Sequence, residues 1–198
     1  MKEEERMKSE KIDRRIKYTK MLLKNSLVEL MNEYTISKIS VKMLCERADI
    51  NRSTFYTHYT DQFDLLSKLE QEVIAEIKKQ IEKHEFQMHN EETVQGLNDI
   101  LVYIAQNADL CKVLLSDNGD PNFQREVMII AQQKTIEELH NYRNLDGRTL
   151  EYLQSFVIAG ALNIVQKWLQ DGMIESTEKM ADFISRLLYK GMVDFCTI

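Results

Sequence analysis

Between Ser40 and Tyr59 the apolar residues fall into two short helical patterns that no single helix can satisfy. Val41, Leu44, Cys45 and Ala48 recur at i, i+3, i+4 and i+7, which is one face of a helix. Ser40 stands at its N-cap, where a hydroxyl can accept an otherwise unpaired N–H. Asp49 breaks the period; of the non-glycine residues, Asp and Asn best tolerate a left-handed backbone. Ile50 is apolar and fits the angle between two helices. Asn51 can cap the second, Arg52 to His58, on which Phe55 and Tyr59 stand four apart and face inward. Arg52, Ser53, Thr54, Tyr56 and Thr57 are left outside. A short helix that offers hydroxyls, one Arg and one Tyr has the shape of a recognition helix in a helix-turn-helix. A plain helical hairpin with a polar outer face has the same period. The density of hydroxyl and aromatic groups favours DNA, because phosphates and base edges need such donors and water does not.

At these residues the pattern becomes specific. Thr54-Phe55-Tyr56-Thr57-His58-Tyr59, followed by Asp64-Leu65-Leu66, resembles the signature of TetR/AcrR-family transcriptional regulators. The similarity runs back through Val41 to Thr19 and forward to about Ile77. Asn51-Arg52-Ser53-Thr54-Phe55-Tyr56 is most similar to the branch that includes activators of dihydroxyacetone-kinase operons, and Gly160 to Gly172 resembles the carboxyl-terminal domain of that branch.

The resemblance implies an all-α protein. Residues 1–60 would form a three-helix, helix-turn-helix DNA-binding domain, and 61–198 a helical bundle for regulation and dimerisation. Its implied partners are double-stranded DNA and a second copy of the chain, joined through the last two helices. The amino-terminal helix would meet phosphate at about Lys17, Thr19 and Lys20, with Ser40 and Val41 opening the helix that lies on the backbone. Tyr56 would bond a phosphate. Arg52 can pair with a guanine edge or a phosphate, and Ser53, Thr54 and Thr57 with bases or thymine methyls. Asn51 belongs to the same surface. His58 matches a position at or near the backbone, or makes a structural hydrogen bond inside the motif. Gln62 replaces the Lys that usually grips phosphate, and Asp49 replaces the usual Gly of the turn.

The net charge of −6 looks wrong for a DNA binder until it is divided. Residues 1–60 hold 13 Lys and Arg against 9 Asp and Glu, a net of +4, and 61–198 hold 13 against 23, a net of −10. That asymmetry suggests a basic end facing phosphates and an acidic body facing water. One Pro and six Gly in 198 residues leave little to interrupt helices. Cys45, Cys111 and Cys196 are odd in number and form no CxxC, which fits buried apolar roles in a reducing cytosol. The longest apolar run, near Phe156 to Val165, is too short to cross a bilayer, so a cytoplasmic protein is expected.

Taken in order, Met1 to about Lys11 is charge-dense and is expected to fray, although Lys2, Lys8, Lys11, Arg14, Arg15 and Lys17 could form an arm on DNA. A first helix is predicted over Asp13 to Glu33, with Leu23, Leu27 and Leu30 inside. Ile36 and Ile39 anchor the connection that follows. A long helix starts after Thr60 as cap and runs to about His84, burying Phe63, Leu66, Leu69, Val73 and Ile77. In the family this element links reader and regulatory domain, so the boundary is placed near Asp61, inside continuous structure. Asn90 caps a helix with Leu97, Ile100, Leu101 and Ile104, and Asp109 starts a short one through Leu115. Ser116 to Asp120 turns; Asp120-Pro121 opens a helix to about His140; Asn144 to Gly147 turns again. Arg148 to Gln170 is the most apolar helix, ended by Asp171-Gly172, and Ser176 caps the last.

Catalysis has no support. His58, His84, His89 and His140 lack metal-ligand spacing, and there is no Gly-rich phosphate loop or nucleophile motif. No cofactor or metal is expected. Family members often bind an inducer between the middle helices of the second domain, where Tyr103, Phe123, Met128 and Trp168 could line a pocket. A Met and aromatic stripe is more often plain core. In the branch this chain resembles, that domain can take a protein partner instead. The competing reading of the whole chain is a helical protein–protein adaptor or coactivator that keeps the motif without using an operator.

Overall fold

The computed structural model describes the backbone of residues 2–84, 91–139 and 146–196, and the side chains of 13–84, 91–131, 146–149, 151–153 and 155–187. Every regular element among them is a helix, and the chain divides into two compact units, Met1–Gln71 and Glu72–Ile198. The division falls within α4 (Gln62–Lys83), ten residues beyond Asp61. The first turns of α4 are tied to the amino-terminal unit through Lys68, whose ammonium donates to the His58 carbonyl at 3.2 Å.

In the amino-terminal unit α1 (Lys2–Met31) packs on α2 (Val41–Ala48), and α2 on α3 (Arg52–Tyr56). Leu23, Leu27 and Leu30 of α1 are buried as their spacing requires, with Met31 beside them. The helix begins at Lys2 rather than Asp13. The reason is legible afterwards: residues 2–12 contain no Gly or Pro to interrupt it. A 3₁₀ turn, Ile36–Lys38, leads to Ile39, which is buried.

Two expectations for α4 are corrected. Asp61, not Thr60, is the cap: its carboxylate accepts from the Asp64 N–H at 2.8 Å, and the Asp64 carboxylate accepts from the Thr60 N–H at 2.9 Å. This reciprocal pairing sets the phase that buries Leu65, Leu66, Leu69 and Val73. Phe63, two residues before Leu65 and so about 200° round the helix, is left exposed rather than buried.

The carboxyl-terminal unit contains α5 (Glu91–Gln106), α6 (Ala108–Leu114), α7 (Pro121–Leu139), α8 (Gly147–Gln170) and α9 (Thr177–Cys196). Asn90 and Asn144, expected at a cap and a turn, lie outside the described residues. α5 packs on α9 and α7 on α8, around Leu101, Ile104, Cys111, Trp168, Leu169, Met180, Ala181 and Ile184. The Asp120 carboxylate accepts from the Asn122 N–H at 2.8 Å and Pro121 opens α7, as the Asp-Pro pair predicts. α8 starts one residue early because Asp146 caps it, accepting from both Arg148 and Thr149 N–H groups. It ends in a Schellman motif: Met173 N–H reaches the Trp168 carbonyl at 2.8 Å, Gly172 N–H reaches Leu169, and Gly172 takes φ +82. The Trp168 indole N–H donates to the Glu175 carbonyl at 3.0 Å, so the ring pins the turn that leads to α9.

One polar cluster ties α4 to α5 inside this unit. The Asp99 carboxylate accepts from Lys83 at 2.7 Å, from His84 Nε2 at 3.0 Å and from Gln95 at 2.8 Å. These hydrogen bonds, Lys83 first, hold its pKa down to about 2. A carboxyl with a depressed folded-state pKa stabilises fully above its unfolded value near 4 and loses that contribution as pH falls towards 2. Asp99→Asn is therefore expected to lower the melting temperature at pH 7 and to flatten its fall between pH 4 and 2, measured by circular dichroism. An unchanged acid limb would mean that the cluster does not bear on stability.

Candidate nucleic-acid interface

The helix-turn-helix is built around one fully buried ring. Phe55 has no exposed surface, and Tyr59 is buried beside it with ring centroids 5.7 Å apart. With those two inward, the 100° step of a helix turns Arg52, Ser53 and Tyr56 outward, and all three are exposed. Thr54 is half-buried, which corrects its expected place on the outer face. α3 is shorter than predicted, ending at Tyr56 rather than His58.

The turn before it is closed by local chemistry. Ser40 Oγ accepts from the Met43 N–H at 3.3 Å, which leaves the hydroxyl proton able to donate outward. Asp49 takes φ 51, ψ 48, the left-handed geometry its position demanded. Ile50 N–H then reaches the Cys45 carbonyl at 3.0 Å, and Asn51 Oδ1 accepts from the Ser53 N–H at 3.3 Å. Burial pushes the Cys45 thiol up, so it stays protonated as a packing group.

The remaining candidates separate by placement. Lys17 and Lys20 are exposed on α1. Thr19 between them is 8% exposed and its hydroxyl donates to the Arg15 carbonyl at 3.0 Å, so it serves the core and its own helix rather than an outward contact. Val41 and Gln62 are half-buried. The Thr57 hydroxyl donates to the Thr54 carbonyl at 2.6 Å, which leaves it only acceptor capacity for a ligand. His58 is half-buried; its carbonyl takes the Lys68 ammonium, and its ring lies against Tyr59 at 6.3 Å. Tyr56 is exposed, yet its ring is held edge-on to Phe55 at 5.5 Å, so its hydroxyl is presented from a fixed base.

Sequence reasoning missed Lys68. Its ammonium lies 5.1 Å from the Tyr59 ring centroid, 2.9 Å from Asp64 and 3.2 Å from the His58 carbonyl. It fastens the carboxyl end of α3 to α4. Position i+4 from Asp64 signalled the ion pair, but nothing local signalled the carbonyl ten residues back. Lys42, exposed in the first turn of α2, is a further cation that was overlooked.

Among the described residues of the carboxyl-terminal unit there is a cavity of about 240 Å³ lined by residues of α4, α5, α6, α7, α8 and α9. Phe123 and Met128 line it; Tyr103 and Trp168 do not. Trp168 belongs to the core cluster, and burial pushes the Tyr103 phenol up to about 12. On the outer surface, Tyr152 and Phe156 of α8 and Phe183 and Leu187 of α9 are exposed, Phe156 by 74%. Gly160, one turn from Phe156, has open space where a side chain would be. No described group of His, Cys, Asp and Glu could hold a metal ion, and no described helix is long and apolar enough to cross a membrane.

Residues 91–190 match the TetR family described as "Transcriptional regulator C-terminal region", which is half of the chain. The chain belongs to the TetR family of transcriptional regulators. This is a family of regulators, not enzymes. A TetR regulator from Streptococcus agalactiae 2603V is 24% identical, with a TM-score of 0.61 over 91% of this chain and 98% of that one. The dihydroxyacetone kinase operon activator DhaS is 19% identical, with a TM-score of 0.55 over 89% and 97%. An uncharacterized HTH-type transcriptional regulator, YxbF of Bacillus subtilis (strain 168), is 24% identical over 183 residues. That match takes in 89% of this chain but 46% of the relative, so the chain spans about half the length of the curated relative it matches.

The TetR turn usually holds Gly where this chain has Asp49. An L-residue at φ 51 is strained and Gly is not. Asp49→Gly should therefore stabilise the reader by up to about 1 kcal/mol, and Asp49→Val should destabilise it by about 1–2 kcal/mol. Urea unfolding of both variants checks the order; a Val variant as stable as wild type would refute the strain.

Proposed function

We propose that the chain is an operator-binding transcriptional regulator that reads a palindrome as a homodimer. The observation that carries this is the capped, left-handed turn that turns Arg52, Ser53 and Tyr56 outward from a buried Phe55. α3 enters the major groove and α2 lies against the backbone, with Ser40, Lys42, Lys17 and Lys20 supplying phosphate contacts. Arg52 and Ser53 meet base edges; Asn51, Thr57, His58 and Gln62 fill the rim. One such helix touches few base pairs, so a two-fold pair is needed to read a site of useful length.

The second copy docks on the face shared by α8 and α9. Tyr152, Phe156, Gly160 and Asn163 follow one another along α8 at helical spacing, and Phe183 and Leu187 stand exposed on α9. Aromatic side chains this exposed, beside a glycine that leaves room for close approach, suit an isologous interface. The regulatory input is a small molecule held in the carboxyl-terminal unit, with a protein partner as the alternative the DhaS likeness raises.

Gel shift on DNA carrying the inverted repeat beside the gene tests the reader. Affinity should fall roughly 10³-fold between 50 and 200 mM salt, as several phosphates are neutralised. Tyr56→Phe should weaken all sites alike, whereas Ser53→Ala should change the preference among them. Salt-independent binding, or full affinity in both variants, would exclude this use of α3.

Phe156→Glu tests the dimer without touching the monomer's core. Sedimentation should show the dimer dissociation constant raised at least about 30-fold with helix content unchanged, as for loss of one anchor residue. A dimer of wild-type strength would place the interface elsewhere.

A further inference from the structure

Thr57 to Asp61 join α3 to α4 without belonging to either helix. One ammonium ties this connection to α4. Lys68 Nζ donates to the His58 carbonyl at 3.2 Å and to Asp64 Oδ2 at 2.9 Å, and it stands 5.1 Å from the centroid of the Tyr59 ring. Asp64 in turn accepts from the Thr60 N–H at 2.9 Å. Lys68 therefore holds His58 and Tyr59 directly and Thr60 through a carboxylate. An ammonium has three N–H donors, and two of these are engaged inside the motif. Its charge is met by Asp64 and by the face of Tyr59. The hydrogen bond from Lys68 comes first among the causes that hold the Asp64 carboxyl below its usual range, so the pair is ionised at neutral pH. Lys68 does not replace the cation missing at Gln62, since six residues along α4 place it about 120° away round the helix.

We propose that Lys68 is a positioning residue for sequence-specific DNA reading: it contacts neither base nor phosphate, and it fixes the carboxyl end of α3 against α4 so that Arg52 and Ser53 meet the bases in one register. This role rests on operator reading through α3. A helix of five residues cannot hold its own direction, so a loosened end moves every side chain it carries. Base edges tolerate no such movement, because their hydrogen bonds are directional. Non-specific binding tolerates it, because it needs only cations near phosphates. Loss of Lys68 therefore falls on the discrimination between sequences and spares the general attraction to DNA.

The test uses the full-length protein in two variants. Lys68→Met keeps the aliphatic stem and removes the ammonium, with Lys68→Gln in its place should it not fold. Lys68→Arg retains donors for the same carbonyl and carboxylate and a cation for the same ring. Gel shift compares a duplex carrying the inverted repeat beside the gene with a scrambled duplex of equal length. Lys68→Met should bind the repeat about 10-fold more weakly, as for loss of one charged hydrogen bond, and the scrambled duplex within about 2-fold of wild type. The salt dependence should be unchanged, and Lys68→Arg should restore the preference. A direct phosphate contact would instead weaken both duplexes alike and lower the salt slope by about one. That result, or an unchanged preference in Lys68→Met, would overturn the proposal. Amide hydrogen exchange without DNA supplies a second readout. The N–H groups of His58, Tyr59 and Thr60 are hydrogen-bonded, and their exchange should rise about 10-fold in Lys68→Met but not in Lys68→Arg. Exchange as slow as in wild type refutes the clamp whether or not an operator is bound. A wild-type protein that binds both duplexes equally refutes operator reading, and with it the role of Lys68 in that reading, while faster exchange in Lys68→Met would still show that Lys68 holds the end of α3.

Discussion

Burial of Phe55 is the contact on which the reader depends. A five-residue helix has no stability of its own, because its nucleation cost is spread over almost no hydrogen bonds. α3 persists because one ring is fully enclosed and a second, Tyr59, is buried beside it. Everything outward is a consequence. Once Phe55 is fixed, the helical step fixes Arg52, Ser53 and Tyr56, and the caps at Ser40 and Asn51 fix where the step begins. Lys68 closes the other end by holding the His58 carbonyl and the Tyr59 face together. The polar outer face of α3 is thus held in place by Phe55, Tyr59 and Lys68 behind it and by the caps at Ser40 and Asn51.

Much of this was legible because it is local. Ser40, Asp49, Asn51, Gly172 and Ser176 each act within five residues, and each stands where its side-chain chemistry placed it. Thr60 against Asp61 was decided by a carboxylate that bonds Asp64, and two adjacent residues that can both cap do not reveal the winner. Phe63 was misplaced for the same reason, since the phase of α4 follows from its first residue. The exposure of Phe156 on the apolar helix α8 shows a different limit. Periodicity reports that a residue is apolar at a given angle, and it does not say whether the facing surface belongs to the same chain. Tyr103 and Trp168 were grouped with Phe123 and Met128 by residue type, but which of four aromatic or thioether side chains meets the empty space depends on how α5, α7 and α8 cross.

α4 serves both units with one continuous helix. Its early turns bury Leu65, Leu66 and Leu69, and its later turns place Val73, Ile77 and Ile81 on the cavity wall. Between Gln62 and Lys83 there is no Gly or Pro, so nothing along it invites a kink. The later turns that carry Ile77 and Ile81 are therefore one uninterrupted helical run. Lys78 and the Lys83–His84 pair tie that segment to α7 and α5 by ion pairs and hydrogen bonds, which can re-form after a small shift more readily than interdigitated side chains can.

That arrangement limits what a molecule in the cavity could do to α4. A ligand changes an equilibrium only by the difference in its affinity for the two states. A molecule that merely fills the existing 240 Å³ stabilises the conformation that already has the cavity. A longer molecule must move a wall, and the wall held by polar ties is α4.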